Sequence, residues 1–158
     1  MLNEIRLDHI QSGPALDEIR RLFLEYAQGL HFNLCFQNFD TELEQLPGIY
    51  GLPQGRLVLC QVAGKSAGCI ALKPLEPGIC EMKRLYVRPE FRGQGLGLKL
   101  TRHIIGEARL TGYTAMRLDT IRGTMDNAIQ LYESLGFKEI PAYYNNPIPN
   151  AFFMELKL

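Results

Sequence analysis

The sequence has no excess of either charge, with 17 Lys and Arg against 17 Asp and Glu. That balance, without any polybasic run, argues against a general nucleic-acid binder and against a membrane-surface protein. No apolar run nears the roughly 20 residues of a membrane-spanning helix. The first residues carry no charged-then-apolar leader and no small-residue cleavage site. The four cysteines, Cys35, Cys60, Cys69 and Cys80, show no C-x-x-C spacing. They read as three small apolar strand residues and one near a helix end, and a reducing cytoplasm is the expected setting. His9, His31 and His103 are scattered without ligand spacing, so no metal site is expected. Internal repeats, linkers and low-complexity segments are also missing.

What is present suits one domain, residues 1–158, around a single core. Hydrophobic content is 46% and charged content 22%, ordinary for a globular chain. Residues 3–8 alternate as a first strand. Ser12-Gly13-Pro14 punctuates it, and Leu16, Ile19, Phe23, Tyr26 and Leu30 then fall on one helical face. The aromatic stretch His31-Phe32-Asn33-Leu34-Cys35-Phe36 reads either as a cleft-lining loop or as core filling. Residues 40–46 suggest a second short helix, stopped by Pro47-Gly48. Residues 56–62, 67–73 and 79–87 read as three antiparallel strands.

A second helix-rich half follows. A helix is expected over residues 95–110, with Gly106 inside it at a helix cost of about 1 kcal/mol relative to Ala, for which close packing against the sheet is one reason. Residues 115–120 alternate as a strand. Thr124 is the expected cap of a helix presenting Ala128, Leu131, Tyr132 and Leu135 inward, with Gly136 as its C′ residue. Strands at 137–140 and 151–158 flank a proline- and asparagine-rich loop. The order is β-α-α-β-β-β-α-β-α-β-β, an α/β fold. The strands on either side of the 95–110 helix should be parallel in a mixed, mostly antiparallel sheet.

The chain turns on Arg92-Gly93-Gln94-Gly95-Leu96-Gly97. It lies between the 79–87 strand and a helix in which Leu96, Leu100, Ile104 and Ala108 recur every four residues. Alternate glycines let a ligand approach the main chain. The amides opening a helix have no intrahelical partner, so the arrangement suits an anion such as a phosphate. The G-x-G-x-G run is not the G-x-G-x-x-G of dinucleotide folds, nor a P-loop. A tight structural turn and a nucleotide-dependent oxidoreductase stay as alternatives at this point.

Leu85-Tyr86-Val87-x-Pro89-x-x-Arg92-Gly93-x-Gly95-x-Gly97 resembles motif A of the GCN5-related N-acetyltransferase (GNAT) superfamily. Asn127-Ala128-x-x-Leu131-Tyr132-Glu133-x-x-Gly136-Phe137 resembles its motif B. The two cover residues 81–137 in the family's order. The resemblance implies acetyl-CoA as co-substrate. Its pyrophosphate would lie on the amides of Arg92, Gly93, Gln94, Gly95, Leu96 and Gly97. Its amide-bearing arm would pair with Leu85, Tyr86 and Val87 and meet Asn127. The resemblance also implies a sheet splayed at its centre, with a bulge near Leu85, flanked by helices.

A lysine-type amine is mostly protonated at neutral pH, so transfer needs a base. Glu81, four residues before Leu85, is the candidate; its other reading is a salt-bridged strand residue beside Lys83 or Arg84. By the same resemblance Tyr132 is the acid that protonates the leaving thiolate; otherwise it is a core tyrosine. Cys80 raises a covalent alternative with no histidine beside it in sequence. The expected activity is direct acetyl transfer to a primary amine of a small molecule. A non-catalytic acyl-CoA-binding or sensor domain is the alternative. The acceptor should be bounded by residues 31–38, the strand around Glu81 and Tyr143-Tyr144-Asn145-Asn146. Family members often pair through C-terminal strands, which makes a homodimer a candidate here.

Overall fold

A computed structural model describes residues 4–30, 34 and 38–158. The elements are β1 (Ile5–His9), α1 (Pro14–Leu30), α2 (Phe39–Gln45), β2 (Arg56–Val62), β3 (Lys65–Glu76), β4 (Ile79–Val87), α3 (Leu96–Thr111), β5 (Ala115–Ile121), α4 (Asp126–Ser134), β6 (Lys138–Ile140) and β7 (Ala151–Lys157). This is the order expected from the sequence. The strands form one seven-stranded sheet in the order β1-β2-β3-β4-β5-β7-β6. Every neighbouring pair is antiparallel except β4 and β5, which are parallel and joined by α3. No helix among the described residues is long and apolar enough to cross a membrane.

Local chemistry explains the frame. Ala63 and Gly64 both take positive φ (50° and 80°), as a two-residue turn needs to match the twist of β2 and β3. β3 runs past its expected end, through Pro74 to Glu76. Its register shifts there, which lets a residue without an N–H stay at the strand's end. Side chains of β2 alternate between two cores: Val58 and Cys60 face one, Leu57 and Leu59 the other. Helices α3 and α4 cover the first face through Leu100, Ile104 and Ile129. Helix α1 and the α2 region cover the second through Ile19, Phe23 and Tyr50.

Two local expectations are corrected. A Cβ on Gly106 would meet nothing within 4 Å, so close packing does not account for that glycine. Thr124 does not cap α4: the N-cap residue is Met125, with no side-chain cap bond, and Asp126 Oδ1 instead accepts from the Gly123 amide at 2.7 Å. The other end is as expected. Gly136 (φ 101°) donates to Glu133 O at 3.1 Å and Phe137 donates to Tyr132 O at 3.0 Å, the paired bonds of a Schellman motif.

The centre of the sheet is forked. β4 and β5 pair only over Ile79–Ala115, Cys80–Met116 and Glu81–Arg117, although β4 continues to Val87 and β5 to Ile121. Past Glu81, among the described residues, β5 no longer pairs with β4. The expected bulge lies at the same place. Cys69 pairs with Tyr86 and Ala71 with Lys83, so two steps on β3 match three on β4. Arg84 absorbs the extra residue at φ 63°, a backbone state that costs a non-glycine residue about 1–2 kcal/mol. Its guanidinium is held in compensation: Nε and Nη2 each donate to Glu42 at 2.9 Å, between the rings of Tyr26 and Phe39.

Candidate active site

The fork and the glycine loop make two adjoining cavities. The first, about 290 Å³, lies between the separated strands and is lined by residues 82–86 of β4, residues 118–121 of β5, Tyr26, Asn146 and Tyr132. The second, about 630 Å³, runs along the start of α3 and is lined by Leu85, Tyr86, Val87, Arg92, Gly93, Gly95, Leu96, Gly97 and Asn127. Leu85, Tyr86, Arg92, Thr124, Met125 and Ala128 border both. Of the residues expected to hold the coenzyme, Gln94 alone borders neither cavity.

The loop is built for a close-lying ligand. Gly93 and Gly95 stand at φ 82° and 77°, which favours glycine at both. A Cβ at either would project into open space rather than into protein. Gly95 is the N-cap of α3 with no side-chain cap bond. The amide of Lys99 donates to Gly95 O at 3.1 Å; the amides of the turn before it point beyond the helix end. Arg92 folds back, its Nε donating to Val87 O at 2.9 Å and its guanidinium 5.9 Å from the Tyr86 ring centre. These features fit a pyrophosphate, and the divergence of β4 from β5 beside Leu85, Tyr86 and Val87 fits an amide-bearing arm.

Tyr132 is 6% exposed. Its backbone is pinned by the Schellman bond from Phe137, and its ring lies 5.6 Å from that of Phe137. Burial pushes its phenol well above the ordinary range, so it stays protonated and able to donate. Glu81 is elsewhere. It is 3% exposed and lines a third pocket of about 260 Å³ on the α1/α2 face, with Glu42, Ile49, Tyr50, Lys73, Lys83, Tyr143 and Tyr144. Its Oε1 lies 3.6 Å from Lys73 Nζ and 3.8 Å from Lys83 Nζ, and Tyr143 donates to its Oε2 at 2.6 Å. Burial, then the charge of Arg84, lowers the Lys83 pKa. Lys83 borders both the fork cavity and this third pocket.

A carboxylate that the sequence reading missed does line the fork cavity with Tyr132: Asp119 of β5. It accepts from the Tyr144 hydroxyl and from Asn146 Nδ2, the latter at 2.9 Å. The signal was the alternation of β5, which puts Asp119 on the same side as Arg117, and so on the side of Glu81. Cys80 is buried, its Sγ donates to Ala115 O at 3.5 Å, and burial pushes its thiol up to about 12. Of the aromatic stretch 31–36, only Leu34 is described; it is buried and borders the fork cavity, and the others lie outside the described residues, as does Cys35. Among the described residues no cluster of metal-ligating side chains is found.

The model of the Acetyltransferase (GNAT) family matches residues 16–137. The uncharacterized N-acetyltransferase C1271.07c of Schizosaccharomyces pombe is 43% identical, over 99% of this chain and 96% of its own length. The uncharacterized N-acetyltransferase YjgM of Escherichia coli is 33% identical, over 83% of this chain and 79% of its own. Two crystal structures share the fold. An acetyltransferase from Streptococcus agalactiae superposes with a TM-score of 0.79 at 22% identity, covering 98% of both chains. The PaiA N-acetyltransferase of Thermoplasma acidophilum, in complex with coenzyme A, superposes with a TM-score of 0.70 at 16% identity, covering 98% of this chain and 99% of its own. With motif, fold and relatives in agreement, the chain belongs to the GNAT family and is an acetyl-CoA-dependent acyltransferase.

Proposed function

We propose that residues 1–158 act as one unit that moves the acetyl group of acetyl-CoA to a primary amine of a small molecule. Amine and thioester meet in one ternary complex, without an acyl-enzyme. The observation that carries this reading is the fork: β4, where it parts from β5, and the Tyr132 side chain border one cavity, which adjoins the cavity of the glycine loop and shares six lining residues with it. The amine nitrogen forms a C–N bond to the acetyl carbon while the C–S bond breaks. A carboxylate takes the amine's proton, and the Tyr132 hydroxyl supplies one to the departing sulfur. Holding both reactants in one cavity supplies much of the rate. The Cys80 thiol is a poor nucleophile for a covalent route, because little of it ionises at neutral pH. Three buried free cysteines, Cys60, Cys69 and Cys80, support a reducing cytoplasm as the setting.

Glu81 is the proposed base. A second reading is favoured by one observation: Asp119, not Glu81, borders the same cavity as Tyr132. The pH dependence of kcat/KM in Glu81→Gln and Asp119→Asn separates them, since the acidic limb belongs to the base and disappears with it. Thiol release measured over a broad panel of amines, with the N-acetyl product identified by mass spectrometry, tests the reaction itself. Binding of acetyl-CoA without turnover on any amine would return the protein to the acyl-CoA sensor reading.

A further inference from the structure

The pocket on the α1/α2 face contains a group whose hydrogen bond is missing. Tyr50 is fully buried and lines this pocket, and among the described residues its hydroxyl has no partner within hydrogen-bond geometry. Glu42 bears on it both as a charge and as a neighbouring acceptor, but without hydrogen-bond geometry, its two oxygens being drawn to Arg84 at 2.9 Å. A buried hydroxyl left unpaired costs about 1–3 kcal/mol, and in a native structure such a group calls for an explanation. Burial keeps the phenol protonated, so the hydroxyl of this lining residue keeps a proton to donate.

A second donor stands beside it. The Lys73 ammonium is 3.6 Å from Glu81 Oε1, longer than a hydrogen bond, and it carries three donors. The carboxylates of the pocket are already engaged by cations or donors: Glu42 by Arg84, Glu81 Oε2 by Tyr143, and Glu81 Oε1 by the Lys73 and Lys83 ammoniums at 3.6 and 3.8 Å. What the pocket offers a ligand is therefore donors, from Tyr50 and Lys73, with apolar contact from Ile49 and Leu75. That combination fits an anionic end on a short carbon chain, and a volume of about 260 Å³ limits its length. Lys83 borders this pocket and the fork cavity alike, so the two lie on either side of one side chain.

We propose that this pocket seats the far end of the acceptor, and that the acceptor class is a short amine bearing a carboxylate. The carboxylate sits on the Tyr50 hydroxyl and the Lys73 ammonium, and the amine points into the fork. The proposal rests on the transferase reading of that fork.

The test compares kcat/KM for short α- and ω-amino acids with that for the alkylamines lacking the carboxylate. The wild-type protein is expected to favour the carboxylated member by about tenfold or more, and Tyr50→Phe and Lys73→Met to bring that ratio towards one. A wild-type ratio at or below one, or a ratio that neither variant changes, overturns the proposal. Calorimetric titration of succinate and butyrate into the coenzyme A-bound protein reads the pocket without any turnover. Binding weakened about tenfold by Tyr50→Phe supports it, and no binding overturns it. Carboxylate binding with no amine acetylated would leave the pocket standing while the transferase reading failed.

Discussion

Tyr143 donates its hydroxyl to Glu81 at 2.6 Å, and this bond ties the 141–150 loop to the point where the sheet forks. The neighbouring Tyr144 donates to Asp119 across the fork. Two adjacent tyrosines thus each engage one carboxylate, one on β4 and one on β5. Arg117 lies over the Tyr143 ring, 5.4 Å from its centre, and is itself held by Glu155 at 2.8 Å. Burial, then the charge of Glu81, raises the Tyr143 pKa, so the bond persists across the neutral range. Removing the donor leaves a buried carboxylate one hydrogen bond short, worth about 1–3 kcal/mol. Tyr143→Phe is expected to lower kcat/KM for the amine by about tenfold or more and to leave acetyl-CoA affinity unchanged, as steady-state kinetics and calorimetry will read.

Gly95 is where the loop tolerates least. Its φ of 77° is left-handed, and its Cβ position faces the cavity at the start of α3. Gly95→Glu adds backbone strain and puts a negative charge at an anion-binding helix end. Coenzyme A affinity is expected to fall by about a hundredfold or more, about 2.7 kcal/mol, with the fold retained by circular dichroism. Normal affinity in a folded variant would move the coenzyme site elsewhere.

Gly106 offers the opposite case. It lies within α3 at an ordinary helical position, and a Cβ there meets nothing within 4 Å. Gly106→Ala is expected to stabilise the protein by about 1 kcal/mol, read as a higher denaturation midpoint with an unchanged m-value and unchanged turnover.

His9 gives the fold a dependence on pH. Its Nδ1 accepts from the Leu57 amide at 2.9 Å. Burial first, then the charge of Arg56, lowers its pKa. The folded state therefore binds this proton less readily than the unfolded chain, whose imidazole titrates near 6.5. The contribution is present above about pH 6.5 and is lost as pH falls towards and through the lowered folded value. His9→Asn is expected to flatten the loss of stability between about pH 7 and 5, as urea titrations at several pH values will read.

Much of this was legible in the sequence, and what was not has physical reasons. β2 and β4 lie within the residues expected, because their apolar and β-branched runs are bounded by turn residues. The glycine loop was legible from its spacing, and Tyr132 from the motif around it. Arg84 was not. Its left-handed φ exists only because β3 and β4 pair out of step by one residue, and register depends on both strands together. Asp119 was not recognised because a single acidic residue on an alternating strand is ordinary until the strand beside it diverges. The third pocket depends on Tyr143 returning over 62 residues to Glu81, a contact no local pattern encodes.

The most direct measurement is turnover and acetyl-CoA affinity of Tyr132→Phe on one preparation. The variant keeps the ring against Phe137 and loses only the hydroxyl that is proposed to protonate the leaving sulfur. The expected result is a kcat lower by about a hundredfold, within the range for general acid catalysis, with the dissociation constant of acetyl-CoA unchanged. An unchanged kcat would remove Tyr132 from the chemistry and contradict the assignment of the fork as the place of transfer.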